Sequence, residues 1–246
     1  MATPPLIQDL SIALAVPNHN PALLTPDFLV GTGIVPADWE LAIPPIVNSQ
    51  GSRIVFQNDI TFVAQPGSIN FAQAIEADTT APITIAEIAY KYAKTLTNLE
   101  YQAVSIQPKC FLPFETQPDG ARKYITNTLL AEGPWKQPLS KPMRASLKLI
   151  YPLKDSELRV TITEAQLKRP NHEPVMTVMF AGTFAYTLDE ETPEARLGQL
   201  KTILDNCQSD FETFQKLVTT KFQIDSATNG RSQARSATPT TQTLHK

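Results

Sequence analysis

From Leu197 to Phe222 the apolar side chains fall at Leu197, Leu200, Leu204, Cys207, Phe211, Phe214, Val218 and Phe222. Every step is three or four residues, the signature of one helix face. Thr192-Pro193-Glu194 supplies a capping hydroxyl, a proline at the first helical position and an acid in the first turn. A helix over 193–222 reaches about 45 Å at about 1.5 Å per residue, and its apolar stripe needs cover along that whole length. Ser209 and Glu212 could start a new helix, but the seam predicts one that runs through them uninterrupted. Strands of about 12 residues, at about 3.4 Å each, match that length.

The sequence offers such strands just before the helix. Met143, Ala145, Leu147, Leu149, Tyr151 and Leu153 alternate, then Leu158, Val160 and Ile162 alternate in the opposite phase after Asp155-Ser156. A two-residue turn there sets 149 opposite 162 and puts both apolar sets on one face. A third strand, about 174–188, carries Met176, Val178, Phe180, Gly182, Phe184, Tyr186 and Leu188 on one side. The fold class that follows is α+β: a long-stranded antiparallel sheet covered on one face by helices, the longest of them C-terminal.

Upstream, Leu6, Gln8, Leu10, Ile12, Leu14 and Val16 predict a half-buried strand, and Asn20-Pro21 and Thr25-Pro26 predict two short helical turns over about 21–30. Trp39 to Ile43 reads as a brief strand, and Ile54 to Ala64, apolar at every second residue, as one strand interrupted by Asn58. Pro66-Gly67 fits a type II turn that sets Phe62 opposite Phe71 and Asn58 opposite Ile75. Gln73 also interrupts this face, as a satisfied amide or the mark of a bulge. Thr84 and Glu87 form a capping box for a helix over 85–97. A strand over about 99–112 and a helix over 120–132, capped by Asp119 and stopped by Gly133-Pro134, begin the second half.

Both halves therefore read as β-α-β-β-β-α, a plan open to two repeats, although the halves share no residue-level similarity. The organisation expected is an N-terminal half over 1–98 and a C-terminal half over 99–225, sharing one compact unit, with a flexible polar tail over 226–246. The 21 prolines border many of these elements, and only 9 glycines occur in 246 residues.

Net charge is −3, and the tail holds Arg231, Arg235 and Lys246 without an acid, so the body is the more acidic part. That argues against nucleic acid as the main partner. Two cysteines, Cys110 and Cys207, are too few for a disulfide framework and read as buried thiols. The N-terminus lacks the basic start of a signal peptide and no apolar run has the length of a membrane span, so a soluble cytoplasmic protein is expected.

Gly31-Thr32-Gly33 lacks the third glycine of a phosphate loop, and His19, His172 and His245 share no motif with a cysteine. No cofactor and no metal are expected. His172 beside Glu173 is a possible general base, and a solvated loop imidazole otherwise. Three weaker features remain. Residues 134–154 contain Lys136, Lys141, Arg144, Lys148 and Lys154 with no acid, flanked by Trp135 and joined by Arg159 from the facing strand; they would suit an anionic ligand or acidic partner, or simply keep the sheet from aggregating. Glu164 falls on the inward phase of its strand and could line a pocket, unless the sheet has ended there. Gly182 between Phe180 and Phe184 would admit either a ligand or a side chain of the long helix.

The function expected is non-enzymatic protein binding or scaffolding by a homodimer that associates through the C-terminal helix. The alternative is a small-molecule-binding domain with its pocket between sheet and helix, near Gly182, Tyr186 and Glu164. An enzyme using His172 or Glu164 is the third reading.

Overall fold

A computed structural model describes residues 7–75, 83–115, 117–154, 156–168 and 173–222. The first half supplies β1 (Ile7–Ala15), a 3-10 turn (Pro21–Leu23), α1 (Pro26–Gly31), β2 (Ile46–Val47), β3 (Ser52–Val55), β4 (Ile60–Gln65), β5 (Ser68–Ile75) and α2 (Ile85–Thr95). The second half supplies β6 (Ala103–Pro113), α3 (Gly120–Lys123) running into a π-helical turn (Tyr124–Leu129), a 3-10 turn (Pro134–Lys136), β7 (Leu147–Pro152), β8 (Glu157–Leu167), β9 (Val175–Thr187), α4 (Pro193–Asp205) and α5 (Cys207–Lys221). All nine strands join one sheet in the order β2-β3-β4-β5-β1-β6-β9-β8-β7, and every pairing is antiparallel.

That order has an internal two-fold relation. β1 and β6, the first strands of the two halves, pair at the centre with Ile12 opposite Ile106. Outward from β1 lie β5, β4 and β3; outward from β6 lie β9, β8 and β7. The two repeats are thus present as topology, with the two-residue β2 added at one edge. α2 and α4, which follow equivalent strands, pack on each other. The Lys201 ammonium lies 5.4 Å from the centre of the Tyr90 ring, while Ala93 shares a cleft with Leu197 and Leu200, so the two helices run antiparallel.

Strand periodicity builds the core directly. One row of paired residues crosses eight strands as Ile54, Phe62, Phe71, Ile12, Ile106, Phe184, Leu158 and Tyr151, all apolar or aromatic and all pointing to the helix side. Helix residues meet this face through edge-on rings: Tyr92 on Phe71 at 5.5 Å and Tyr124 on Phe180 at 6.4 Å, a geometry that aligns ring edge with ring face. The opposite face mixes small side chains with scattered charges. A row there runs Ala74, Asp9, Lys109, Ala181, Thr161, Lys148, with Asp9 and Lys109 paired at 3.5 Å.

Several local expectations hold in detail. Asn20 and Thr25 cap their turns, their oxygens accepting from the Ala22 and Phe28 N–H groups, and Gly67 takes the positive φ of 85° that the Pro-Gly turn requires. Phe62 is paired with Phe71.

Others are corrected. Ile54 to Ala64 is a hairpin of β3 and β4 that reverses around Asn58 and Asp59, with Asp59 at φ 61°, so Asn58 lies in the turn and not opposite Ile75. Trp39 to Ile43 contributes only the isolated bridge from Leu41 to Phe56. In the β7–β8 hairpin Leu149 faces Val160 rather than Ile162, because the loop closes from Leu153 N–H to Ser156 carbonyl; a slip of two leaves the inward face unchanged. The long helix bends at Asn206, whose side chain donates to the Thr202 carbonyl, although the apolar seam continues across the bend. The helix expected over 120–132 stops at Leu129, and Asp119 pairs with Arg122 at 2.6 Å instead of capping it. The expectations for His172 and for the 226–246 tail lie outside the described residues.

Candidate functional site

The long helix is used inside the chain. Leu200, Leu204, Cys207, Phe211, Phe214 and Val218 are all buried. At Gly182 a Cβ would stand 2.6 Å from a ring carbon of Phe214 and 3.1 Å from Pro108, so glycine there admits the helix. Nearby, the Tyr186 hydroxyl donates to Asp210 Oδ2 at 2.7 Å. Burial raises the pKa of Tyr186 and of Asp210, while the hydrogen bond between them pulls Asp210 back down. The space expected to hold a ligand beside Gly182 and Tyr186 is filled by α5. Glu164 does face the helix side, its side chain 9% exposed, and it accepts from Arg144 Nε at 3.2 Å.

The basic stretch is divided rather than gathered. Lys136 Nζ lies 2.7 Å from Glu132 and donates to the Leu130 carbonyl at 3.1 Å. Arg159 Nε lies 2.6 Å from Glu157. Lys148 and Arg159 share the open sheet face, since Lys148 opposes Thr161 and Ile150 opposes Arg159. Trp135 is 59% exposed, its indole packed over the Gly133 backbone. Glu132 reaches Lys136 across the Gly133-Pro134 break, outside any α-helix, so helical spacing gave no sign of the pair.

Exposed apolar residues mark further parts of the surface. Among the described residues the large exposed hydrophobics are Leu23, Ile43, Ile46 and Val47, which belong to the β2 end, Ile150 and Leu153, in and just after β7, and Trp135 and Leu139, in the segment between the π-helical turn and β7. Ala42 N–H and the Glu40 carbonyl bond to Val55 and Gln57, which places Ile43 on the outer edge of β3, and Ser52 Oγ reaches the Pro21 carbonyl at 2.8 Å, which brings the turn holding Leu23 there too. A shallow groove of about 340 Å³ opens at this end, its walls including Ile46, Val63 and Ala64. Leu139, in the segment that leads into β7, is fully exposed. Residues 16–52 carry Asp27, Asp38 and Glu40 with no base, although Arg53, the next residue, lines the groove, whereas 134–154 carry five bases with no acid. Counting charge by segment would have shown this contrast.

A second cleft, of about 230 Å³, lies where the C-terminal end of α2 meets the N-terminal end of α4. Ala93, Leu99, Tyr101, Leu197 and Leu200 form its apolar wall, with Glu100, Glu194 and Arg196 among its polar residues.

The remaining buried polar groups are quiet. His19 is 5% exposed, with Nε2 2.6 Å from the Tyr92 hydroxyl, and burial lowers its pKa. Cys110 and Cys207 are unpaired and buried, which pushes both thiols up to about 12 and keeps them protonated and weakly nucleophilic. Among the described residues no group of three His, Cys, Asp or Glu could hold a metal, and no helix is long and apolar enough to cross a membrane. No protein-family profile matches the chain, and no curated protein is similar to it.

Proposed function

We propose that the chain is a non-enzymatic binding and assembly protein that joins protein surfaces, copies of itself among them, through the two ends of its sheet. The observation that carries this reading is the presence of large exposed hydrophobics at both ends, Ile43, Ile46 and Val47 beside β3 and Ile150 and Leu153 at β7, because a sheet edge bearing apolar side chains is a surface that another chain covers. The ends are complementary rather than alike. One offers a groove lined by Ile46 and Arg53, with Asp38 and Glu40 in the chain before it; the other offers the projecting Ile150 and Leu153, with Leu139 and Trp135 in the segment that leads into β7 and Lys148 on its open face. Complementary ends favour a head-to-tail contact over the helix-mediated homodimer that the sequence suggests, since the helix seam is already covered. Pro44 and Pro45 leave the β2 edge poor in free N–H groups, so side chains carry the contact. An acidic body disfavours nucleic acid as the main partner, and two reduced, buried cysteines suit the cytoplasm.

Light scattering across protein concentration and ionic strength tests the reading. The expected result is a mass above monomer at tens of micromolar in low salt, falling with added salt and falling more than about fivefold in apparent affinity in Leu139→Asp. A monomer alone under those conditions sinks the self-assembly.

A further inference from the structure

We propose that the cleft between α2 and α4 binds a small amphiphile with a compact apolar body and a positively charged nitrogen. The site is independent of the sheet ends, lying over the sheet's centre where the two halves meet, and such junctions between helices are favoured places for ligands. At about 230 Å³ it suits a bicyclic ring with a short substituent. Its apolar wall draws residues from both halves: Ala93 and Tyr101 are buried beside Leu200, and Leu99 and Leu197 are half-buried around them.

The wall is already organised. The Tyr101 hydroxyl donates to the Leu96 carbonyl at 3.2 Å. Arg196 donates through Nε and Nη2 to the Glu190 carbonyl at 3.2 and 2.8 Å, which holds that guanidinium toward the protein. Glu100 and Glu194 remain exposed at the mouth, one on each side of the opening in the chain. Carbonyl groups at the C-terminal end of α2 add negative potential. The start of α4 contributes a partial positive charge, reduced because Pro193 has no N–H and the Ala195 N–H already donates to Thr192 Oγ1. Glu100 and Glu194, without an ion-pair partner among the described residues, outnumber the single Arg196 charge, and a net negative mouth over an apolar floor favours a cation over an acid.

Calorimetric or NMR titration of the full chain with tryptamine, indole and indole-3-acetate isolates body from charge. Tryptamine is expected to saturate the protein at millimolar concentration or below and to bind about tenfold more tightly than indole-3-acetate, with indole between. Joint Glu100→Gln and Glu194→Gln substitution should bring tryptamine down to indole's affinity. Leu197→Trp should fill the cleft and abolish binding; Thr97→Trp, at an exposed lining position, gives the same readout if the first variant fails to fold. Overturning results are the absence of saturable tryptamine binding, indole-3-acetate bound as tightly as tryptamine, or binding unchanged when the cleft is filled.

Discussion

His19 lies in the turn after β1, and its imidazole is enclosed by the Tyr92 hydroxyl at 2.6 Å and by the Gln65 backbone. Burial lowers its pKa below the ordinary 6.5. The folded state therefore binds fewer protons than the unfolded state just below pH 6.5, and stability falls as pH falls through that window. Asp9 and Asp210 act with the opposite sign, because burial raises both above 3.8 and ionising them is what costs the fold; their window lies closer to pH 4. Urea midpoints between pH 7.5 and 6 are thus expected to drop for the native chain and to stay level for His19→Gln. Equal slopes for the two proteins would refute the assignment. This pair was beyond the sequence, since nothing in residues 19 and 92 announces a contact across 73 positions. Local chemistry was readable: Asn20 and Thr25 cap because a side-chain oxygen two or three residues before an N–H needs no tertiary help.

At the scale of elements, α2 shows how a local motif loses to a distant one. Thr84 and Glu87 satisfy the capping-box pattern, yet Thr84 has helical dihedrals and its side chain caps nothing. Gln73 of β5 replaces it: its Oε1 accepts from Thr84 N–H at 3.0 Å, Thr84 Oγ1 at 3.2 Å and Ile85 N–H at 3.4 Å. The polar residue that interrupted an apolar strand face is the cap of the next helix. Gln73→Ala is expected to cost about 1–2 kcal/mol in chemical denaturation, as a cap lost from a buried helix start, whereas Glu87→Ala, which removes only the exposed pair with Lys91, should change stability by about 0.5 kcal/mol or less. The reverse ranking would restore the capping box. A similar ambiguity hid the β3–β4 hairpin. Its register pairs Ile54 with Phe62 and Ser52 with Ala64, so even-numbered residues oppose even-numbered ones, and a hairpin with that parity has the same alternation as a single long strand. Asn58-Asp59 was the only local sign of reversal. The hairpins with Gln65-Pro66-Gly67-Ser68 and with Asp155-Ser156 change phase, and that change made them legible.

Over the whole molecule, the repeat was visible as element order but the surfaces it creates were not. Two halves related about β1 and β6 necessarily bring α2 against α4, and the cleft between them exists only through that meeting; neither helix shows it alone. The sheet ends likewise gain meaning only once Leu23, Ile43 and Ile46 are known to share one edge. The same arrangement predicts how the halves depend on each other. Each has a length at which many domains fold by themselves. Separation, however, strips β6 from β1 and bares two long central edges, Ile7–Ala15 and Ala103–Pro113, and it removes α4 from α2, uncovering Ala93 and Leu200. A bare hydrogen-bonding edge beside an uncovered apolar face favours aggregation over a native half. Fragments 1–98 and 99–246, prepared apart, are therefore expected to lack a cooperative unfolding transition and the near-ultraviolet circular dichroism of the packed aromatic rings. Mixing them should restore both, because the central β1–β6 ladder and the α2–α4 contact are regained together. A cooperative transition in either fragment alone would show that the halves are independent domains joined side by side, and that the shared centre contributes little to holding either one folded.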